Sequence, residues 1–86
     1  MKTTIEIIIA DAGHIFVGET EHTDKGVQLS NASVIRRWGT TRGLGEIALG
    51  GPTSSTVLDK TGRVFIPTQA MICVISCEQD RWKNEL

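Results

Sequence analysis

The chain is short and has few aromatic residues, cysteines and prolines. It contains 86 residues, with no tyrosine, two cysteines, two prolines, two phenylalanines and two tryptophans. A chain of this length forms one small domain and excludes large catalytic scaffolds such as the barrel of eight strand-helix units. We therefore predict a single domain over residues 1–86, in which residues 78–86 are either a C-terminal helical turn or a frayed tail.

An excess of one charge is also missing. Nine basic and ten acidic side chains give a formal net charge of −1, so no basic excess is present to bind the phosphates of a long nucleic acid. No apolar run approaches the roughly 18 residues that cross a membrane. The apolar run near the N-terminus is short and is interrupted by Glu6, unlike a secretory signal. We expect a cytoplasmic protein that binds neither a membrane nor a long nucleic acid.

The two cysteines, Cys73 and Cys77, are too few for a disulfide framework. On one strand, residues four apart are separated by about 13 Å, at about 3.3 Å per residue. That separation is beyond the reach of a disulfide bond. We expect two half-buried thiols in a reducing compartment.

The strongest positive signal is the abundance of β-branched residues. Ten Ile, six Val and ten Thr make up 26 of the 86 residues, and such side chains pack well on a pleated sheet but lose rotamer freedom in a helix. Apolar patterns predict strands at 3–10, 14–20, 26–29, 34–38, 56–58, 63–66 and 71–77. We predict a mainly β (β-rich α+β) fold: a small antiparallel sheet of about six to seven strands, curled or forming a partial barrel.

Turn-forming residues separate the predicted strands. Ser30–Ala32 is predicted to be a corner, and Asp59–Gly62 a hairpin turn. The spacing of the apolar residues from Leu44 to Ala48 predicts one short helix of about two turns, which the segment Gly50–Pro52 ends.

The start of this helix carries a glycine motif. The segment Gly43–Ala48 fits the pattern Gly-x-Gly-x-x-Ala of dinucleotide-binding folds. Those folds also need a parallel strand-helix-strand unit, which the hairpin pattern does not provide, so we exclude them. A glycine-rich helix start still presents free backbone N–H groups that favour an anion. An ordinary tight loop is the alternative.

Cationic and hydroxyl side chains crowd the residues just before the helix. Residues 31–56 contain three arginines and one glutamate, a local charge of +2 within a chain of −1. Guanidinium groups pair with phosphate, an indole stacks on a base, and hydroxyls donate to phosphate oxygens. The predicted ligand-binding residues, none of them catalytic and none a metal ligand, are Arg36, Arg37, Trp38, Thr40, Thr41, Arg42, Gly43 and Leu44. Alternatively, Trp38 is a core residue and the arginines are solvated or pair with acids.

Two other polar groups are weaker candidates. His14 and His22 lie near several acidic residues, but zinc usually takes cysteine or several histidines. We expect an exposed histidine pair, with neither a metal nor another cofactor. The hydroxyl cluster Thr53–Thr56 is either a ligand contact or part of a loop.

Motifs spread over residues 5 to 77 form a further pattern. They are Ala12-Gly13, Val17-Gly18, Val27-Gln28-Leu29-Ser30-Asn31-Ala32, Ile35, Trp38-Gly39, Leu44, Glu46-Ile47-Ala48, Gly50 and Ile72-x-Val74-Ile75-x-Cys77. This pattern resembles a small, functionally uncharacterised family of phage and prophage proteins. The family has Arg in place of Ser33, aromatic residues in place of Arg36 and Arg37, and Pro in place of Ser76. The resemblance implies a viral accessory protein of the host-cell cytoplasm and transfers no catalytic residue.

Three functions remain open. The leading hypothesis is non-enzymatic binding of a small anionic, nucleotide-like ligand, as in an anti-defence sponge that sequesters a host immune signalling nucleotide. The second is a protein-binding inhibitor of a host defence complex, which needs an exposed strand edge or an apolar patch. The third is a minor phage structural protein. Because a small β domain has exposed strand edges that association would cover, we also predict a homo-oligomer.

Overall fold

Five antiparallel strands form one curled, unclosed sheet, which confirms the predicted mainly β fold. A computed structural model describes residues 4–40 and 42–86. The strands are β1 (Thr4–Ala10), β2 (Ile15–His22), β3 (Gly26–Arg37), β4 (Val57–Pro67) and β5 (Met71–Ser76). The helices are α1 (Leu44–Gly50), as predicted, and α2 (Gln79–Trp82). Short 3-10 turns at Asp11–Gly13 and Thr68–Ala70 join β1 to β2 and β4 to β5.

The strand order is β4-β3-β2-β1-β5, so β1 lies inside the sheet although it comes first in the chain. It pairs with β2 on one side and with β5 on the other. The two edge strands, β4 and β5, are separated in the chain only by Thr68–Ala70. Three residues span at most about 10 Å. The sheet must therefore curl until the end of β4 lies close to the start of β5.

A shared bend in β3 and β4 explains why the sheet has five strands and not six or seven. The two predicted breaks, Ser30–Ala32 and Asp59–Gly62, lie inside continuous strands. Asn31 has a φ of 50° and Gly62 a φ of 84°, and the register of the ladder shifts on both sides of the pair between Ala32 and Gly62. Bulges of this kind insert an extra residue and bend a strand without ending it.

Apolar side chains pack into two clusters. The helix-covered cluster has the buried members Ile5, Ile7, Val17, Ile35, Leu44, Ile47, Ala48, Cys77 and Trp82. The sheet-enclosed cluster has the buried members Ile8, Ala10, Val27, Leu29, Ala32 and Ile66. Neighbouring residues of β1, such as Ile7 and Ile8, enter different clusters because successive side chains of a strand point to opposite faces. Both faces of β1 are therefore buried.

The C-terminal segment begins with a helical turn that is packed against the domain. Trp82 is fully buried, and its indole N–H donates to the carbonyl oxygen of Ile47 over 2.8 Å. The side-chain amide of Gln79 accepts from the N–H of Ile5 at 2.8 Å and donates to the carbonyl oxygen of the same residue at 3.0 Å. This amide continues the ladder between β1 and β5 beyond the last residue of β5. Of the two alternatives for this segment, the structure therefore shows the helical turn.

Candidate functional site

The predicted ligand-binding residues lie on the connection between β3 and α1. Arg36 and Arg37 end β3, residues 38–43 form the loop, and Leu44 begins α1. Thr41 lies outside the described residues. The predicted residues are therefore neighbours in the chain, and their contacts determine which of them are open to a ligand.

The side chains on this connection differ in exposure. The three arginines are exposed, and the indole of Trp38 is 41% exposed. Trp38 is thus not a core residue. Leu44, in contrast, is buried in the helix-covered cluster, so it could offer a ligand only its backbone N–H, which is the group for which it was predicted.

Arg36 is already engaged by a carboxylate. Its Nε donates to Oδ2 of Asp59 over 2.7 Å, and its Nη2 donates to Oδ1 over 3.4 Å. A phosphate would have to displace this carboxylate, because both anions use the same guanidinium donors. Among the described residues, the side chains of Arg37 and Arg42 make no ion pair. Two of the three arginines are thus available.

The loop containing Trp38 is held by hydroxyl groups from the segment before β4. Thr56 Oγ1 donates to the carbonyl oxygen of Trp38 over 2.6 Å, and Thr53 Oγ1 donates to that of Gly39 over 2.9 Å. The N–H of Thr53 in turn donates to Thr56 Oγ1 over 2.9 Å. The hydroxyl cluster Thr53–Thr56 therefore fastens one loop to another.

The start of α1 is occupied by the chain's own groups. The N–H of Gly43 donates to Thr40 Oγ1 over 3.0 Å, and the N–H of Arg42 donates to Oε1 of Glu46 over 3.1 Å. Glu46 thus reaches back beyond the helix start, as in a capping box. Two donors near the predicted anion site are already used, and the negative charge of Glu46 repels a second anion.

An open groove runs along the outer side of α1. It has a volume of about 430 Å³ and is lined by Arg42, Gly45, Glu46, Leu49 and Gly50. Among the described residues of this lining, Arg42 is the only one that was predicted to bind a ligand. These described residues bring one cation and one anion to the groove, a balance that does not select a phosphate.

The outer edge of β5 is a second candidate surface, and the prediction of ligand-binding residues did not include it. Ile72 and Val74 are 67% and 40% exposed, and Val74 lies opposite Ile8 of the sheet-enclosed cluster. The segment Met71–Ser76 contains no charged residue. An uncharged, β-branched segment of six residues is the sequence signal that could have drawn attention to this edge.

The backbone of β5 is open on its outer side. The N–H of Cys77 donates to the carbonyl oxygen of Ile5 over 3.2 Å. Because the peptide groups of an antiparallel strand alternate in direction, those of Ser76 and Val74 point away from β1. No strand of the described chain pairs with this side of β5. We use the name β5 edge for the side chains of Ile72, Val74 and Ser76 together with the outward peptide groups of Val74 and Ser76.

The other edge strand, β4, carries features that prevent strand pairing. It contains the charged residues Asp59, Lys60 and Arg63, a bend at Gly62, and Pro67 at its end. Charges, bulges and proline are the usual means by which edge strands avoid other chains. The β5 edge has one of them, a shift of register opposite Ile9 and Ala10. From Cys73 to Ser76 its pairing with β1 is regular.

The two thiols have different environments, and neither forms a disulfide. Cys73 is exposed on β5 and Cys77 is buried, whereas both were predicted to be half-buried. Burial, together with the negative charge of Glu6, raises the pKa of the Cys77 thiol from 9.0 to about 12. Cys77 is therefore a protonated core residue at neutral pH, and its thiolate is not available as a nucleophile.

The predicted histidine pair consists of two separate, exposed side chains. His22 Nε2 lies 2.7 Å from Oε1 of Glu6, which also accepts from Thr20 Oγ1 over 2.7 Å. His14 Nδ1 lies 3.1 Å from the carbonyl oxygen of Asp11. Within residues 4–40 and 42–86, no three side chains of the metal-binding types lie together. The contacts of Glu6 connect β1 to β2.

Comparison with known proteins adds no relative. No family model matches this chain, and a search of curated proteins finds no match. The resemblance to phage and prophage proteins stays a prediction. Within the part of the chain that the structure describes, no helix is both long enough and apolar enough to cross a membrane.

Proposed function

We propose that this chain is a non-enzymatic binding protein that accepts a strand of a partner polypeptide at the β5 edge. The observation that carries the proposal is that one uncharged edge strand has both outward peptide groups and exposed apolar side chains. In strand addition, main-chain hydrogen bonds provide affinity and alternate side chains provide specificity. Ile72 and Val74 are the side chains that a partner strand would contact.

Photo-crosslinking in cells tests this proposal. The photoreactive amino acid p-benzoylphenylalanine is placed at position 72 on the β5 edge or, as the matched control, at position 60 on β4. We expect a crosslinked polypeptide from position 72 and none from position 60, because Lys60 belongs to the charged edge. Equal crosslinking from both positions, or none from position 72, would contradict strand addition at β5.

A small anionic, nucleotide-like ligand at the connection between β3 and α1 is the second candidate. It is favoured by the exposed indole of Trp38 and by two arginines, Arg37 and Arg42, that make no ion pair among the described residues. An anti-defence sponge that sequesters a host signalling nucleotide is the form of this candidate that fits a phage protein. We rank this candidate below strand addition because Arg36 is already paired with Asp59 and because the carboxylate of Glu46 lies near the predicted anion site.

Calorimetry against cyclic di- and trinucleotides and ADP-ribose derivatives tests the second candidate. If one ligand of this panel binds, Arg37→Ala and Arg42→Ala should each weaken its binding by about tenfold or more, as expected for a guanidinium-phosphate contact. Arg36→Ala is the matched control and should change the affinity least, since Asp59 already holds this guanidinium. No heat of binding to a folded chain from any ligand removes this candidate.

The origin and location of the protein are part of the same proposal. A phage accessory protein that inhibits a host defence complex in the host cytoplasm would use the β5 edge against that complex. A minor structural protein of the phage would instead be present in purified virions, which mass spectrometry of the particle proteins can detect.

A further inference from the structure

We infer that the partner strand at the β5 edge is β5 of a second copy of this chain, paired antiparallel about a two-fold axis at Val74. This inference rests on the proposed function and names its partner. The two sheets would join into one sheet of ten strands, five from each copy.

The first support is the direction of the backbone groups. The N–H and C=O of Val74 both point away from β1, so Val74 of one copy can exchange both hydrogen bonds with Val74 of the other. The same two-fold axis places Ile72 opposite Ser76 and Cys73 opposite Ile75. From Cys73 to Ser76 this register uses the regular part of β5, and its end residue Ile72 lies at the shift of pairing opposite Ile9 and Ala10.

The second support is the match between side chains. Directly opposite and diagonal residues on one face of a sheet contact each other. The two Val74 side chains would be directly opposite, and each Ile72 would lie diagonal to Val74 of the other copy. The four exposed side chains would thus form one continuous apolar row, whereas in the monomer Ile72 is 67% exposed.

The third support is the distribution of charge. Because β5 has no charged residue, two copies meet without repulsion, while a charged foreign strand finds no opposite charge on this edge. Continued outward, the register places Glu78 opposite Ala70, so no like charges face each other. The edge of β4 carries Asp59, Lys60 and Arg63 and is therefore not uncharged in this way.

The dimer should be weak and dependent on concentration. A single pair of six-residue strands buries less than the roughly 1,200 Å² of a standard stable interface. We expect the purified chain to pass from monomer to dimer as its concentration rises through the micromolar range and above, as measured by analytical ultracentrifugation. Ile72→Lys should weaken this association by about tenfold or more, equivalent to about 1.4 kcal/mol. Lys60→Gln on β4 is the matched control and should leave it unchanged.

Disulfide trapping tests the register. Val74→Cys in a Cys73→Ser background brings two thiols directly opposite each other, with Cα atoms about 5.5 Å apart, inside the range of a disulfide bond. Brief oxidation with diamide should trap this variant faster than the natural chain, in which Cys73 faces Ile75. The control variant has Lys60→Cys in the same Cys73→Ser background and should be trapped only at the rate of random collision.

Three results would overturn the inference. The first is faster trapping of the natural chain, which shifts the axis to Cys73. The second is preferential trapping of a mixture of the position-74 and position-60 variants, which indicates head-to-tail pairing of β5 with β4. The third is a chain that stays monomeric at millimolar concentration.

Crosslinking then separates this inference from the proposed function. If the purified chain is monomeric while position 72 still crosslinks to a different polypeptide in cells, strand addition stands and the second copy is excluded. If position 72 crosslinks to nothing in cells and the purified chain is monomeric, both are contradicted.

Discussion

The two edge strands of the sheet differ in how they are held as well as in what they expose. β5 is followed by Cys77 and Trp82, both buried in the helix-covered cluster, and by Gln79, whose amide bonds to β1. β4 is preceded by a segment whose hydroxyl groups bond to the loop after β3, and its backbone ladder with β3 carries one exposed ion pair. A buried segment after the strand thus secures the uncharged edge, whereas the charged edge is secured by its own ladder with β3 and by the buried side chain of Ile66, with polar contacts added at the surface.

This difference has a physical consequence for exposure. Because β5 is fixed by the C-terminal segment after it, its outer edge does not need side chains that contribute to its own stability. Ile72 and Val74 can therefore serve association. On β4, in contrast, the same residue has both roles: Asp59 keeps the edge charged and attaches β4 to β3 through its ion pair with Arg36. Variants that weaken these two kinds of attachment should therefore lower the free energy of unfolding by different amounts.

The largest expected effect is loss of the β5 attachment by Trp82→Ala. Truncating a fully buried tryptophan in a small core costs about 3–5 kcal/mol, and it also removes one of the two donors to the Ile47 carbonyl oxygen, which still accepts from the N–H of Gly51. Trp82→Phe keeps an aromatic ring but removes the N–H donor, and should cost about 1–2 kcal/mol. Urea unfolding of both variants measures these values. Equal stability of the alanine variant and the natural chain would show that α2 does not hold β5.

The second effect concerns the contact between the loop after β3 and the segment before β4. Gly39 has a φ of 67°, and a Cβ there would lie 2.3 Å from the carbonyl carbon of Ser55. Gly39→Ala should therefore cost about 2 kcal/mol or more, from the left-handed backbone and from overpacking together. Gly13→Ala is the matched control, since Gly13 has a φ of 77° but no atom within 4 Å of an added Cβ. Its cost should be only the conformational part, about 1–2 kcal/mol. Similar free energies of unfolding for both variants would contradict close packing at Gly39.

The third effect is a loss of stability at high pH through Cys77. Its thiol has a pKa of about 12 in the folded chain and 9.0 as the ordinary value, so above pH 9 the unfolded chain loses a proton that the folded chain keeps. The free energy of unfolding should therefore fall as pH rises from 9 towards 12. By pH 10 the expected change in the folding equilibrium is about tenfold, or about 1.4 kcal/mol. Cys77→Ala should remove this part of the pH dependence, and Cys73→Ala, which changes the exposed thiol, should retain it.

The smallest effect is expected from the ion pair on β4. Both partners are exposed, and exposed pairs contribute at most about 1 kcal/mol, less in high salt. Arg36→Ala and Asp59→Asn should each lower the free energy of unfolding by no more than this amount. A double-mutant cycle at low and high salt measures the coupling energy. A coupling as large as the effect of Trp82→Ala would reverse the comparison between the two edges.

The sequence predicted the fold class correctly because its β-branched residues and alternating patterns are local signals. It predicted too many strands because Asn31 and Gly62 are residues typical of turns, whereas in the fold they lie at bends within continuous strands. Their alignment across the ladder, where Ala32 faces Gly62, depends on the pairing of β3 with β4. A single sequence does not reveal that pairing.

The candidate sites show the same limit. Arg36, Trp38 and Arg42 are conspicuous in the sequence, but the pairing of Arg36 with Asp59, 23 residues away, appears only in the fold. Conversely, the uncharged, β-branched segment Met71–Ser76 is as typical of a buried strand as of an open edge, so the sequence alone does not separate Ile72 and Val74 from core residues. They are exposed because β5 is the last strand in the order of the sheet, which is a property of topology.

The internal position of β1 affects how this chain folds while it is being synthesised. β1 is made first, yet one of its sides stays without a partner until β5, near the far end of the chain, has been made. Until then the nascent chain exposes the unpaired side of β1 and apolar side chains that are buried in the finished domain. Partly folded chains of this kind aggregate or recruit chaperones. Ribosome-bound fragments that stop before Met71 should therefore be sensitive to protease, and resistance should appear only once Trp82 has left the exit tunnel.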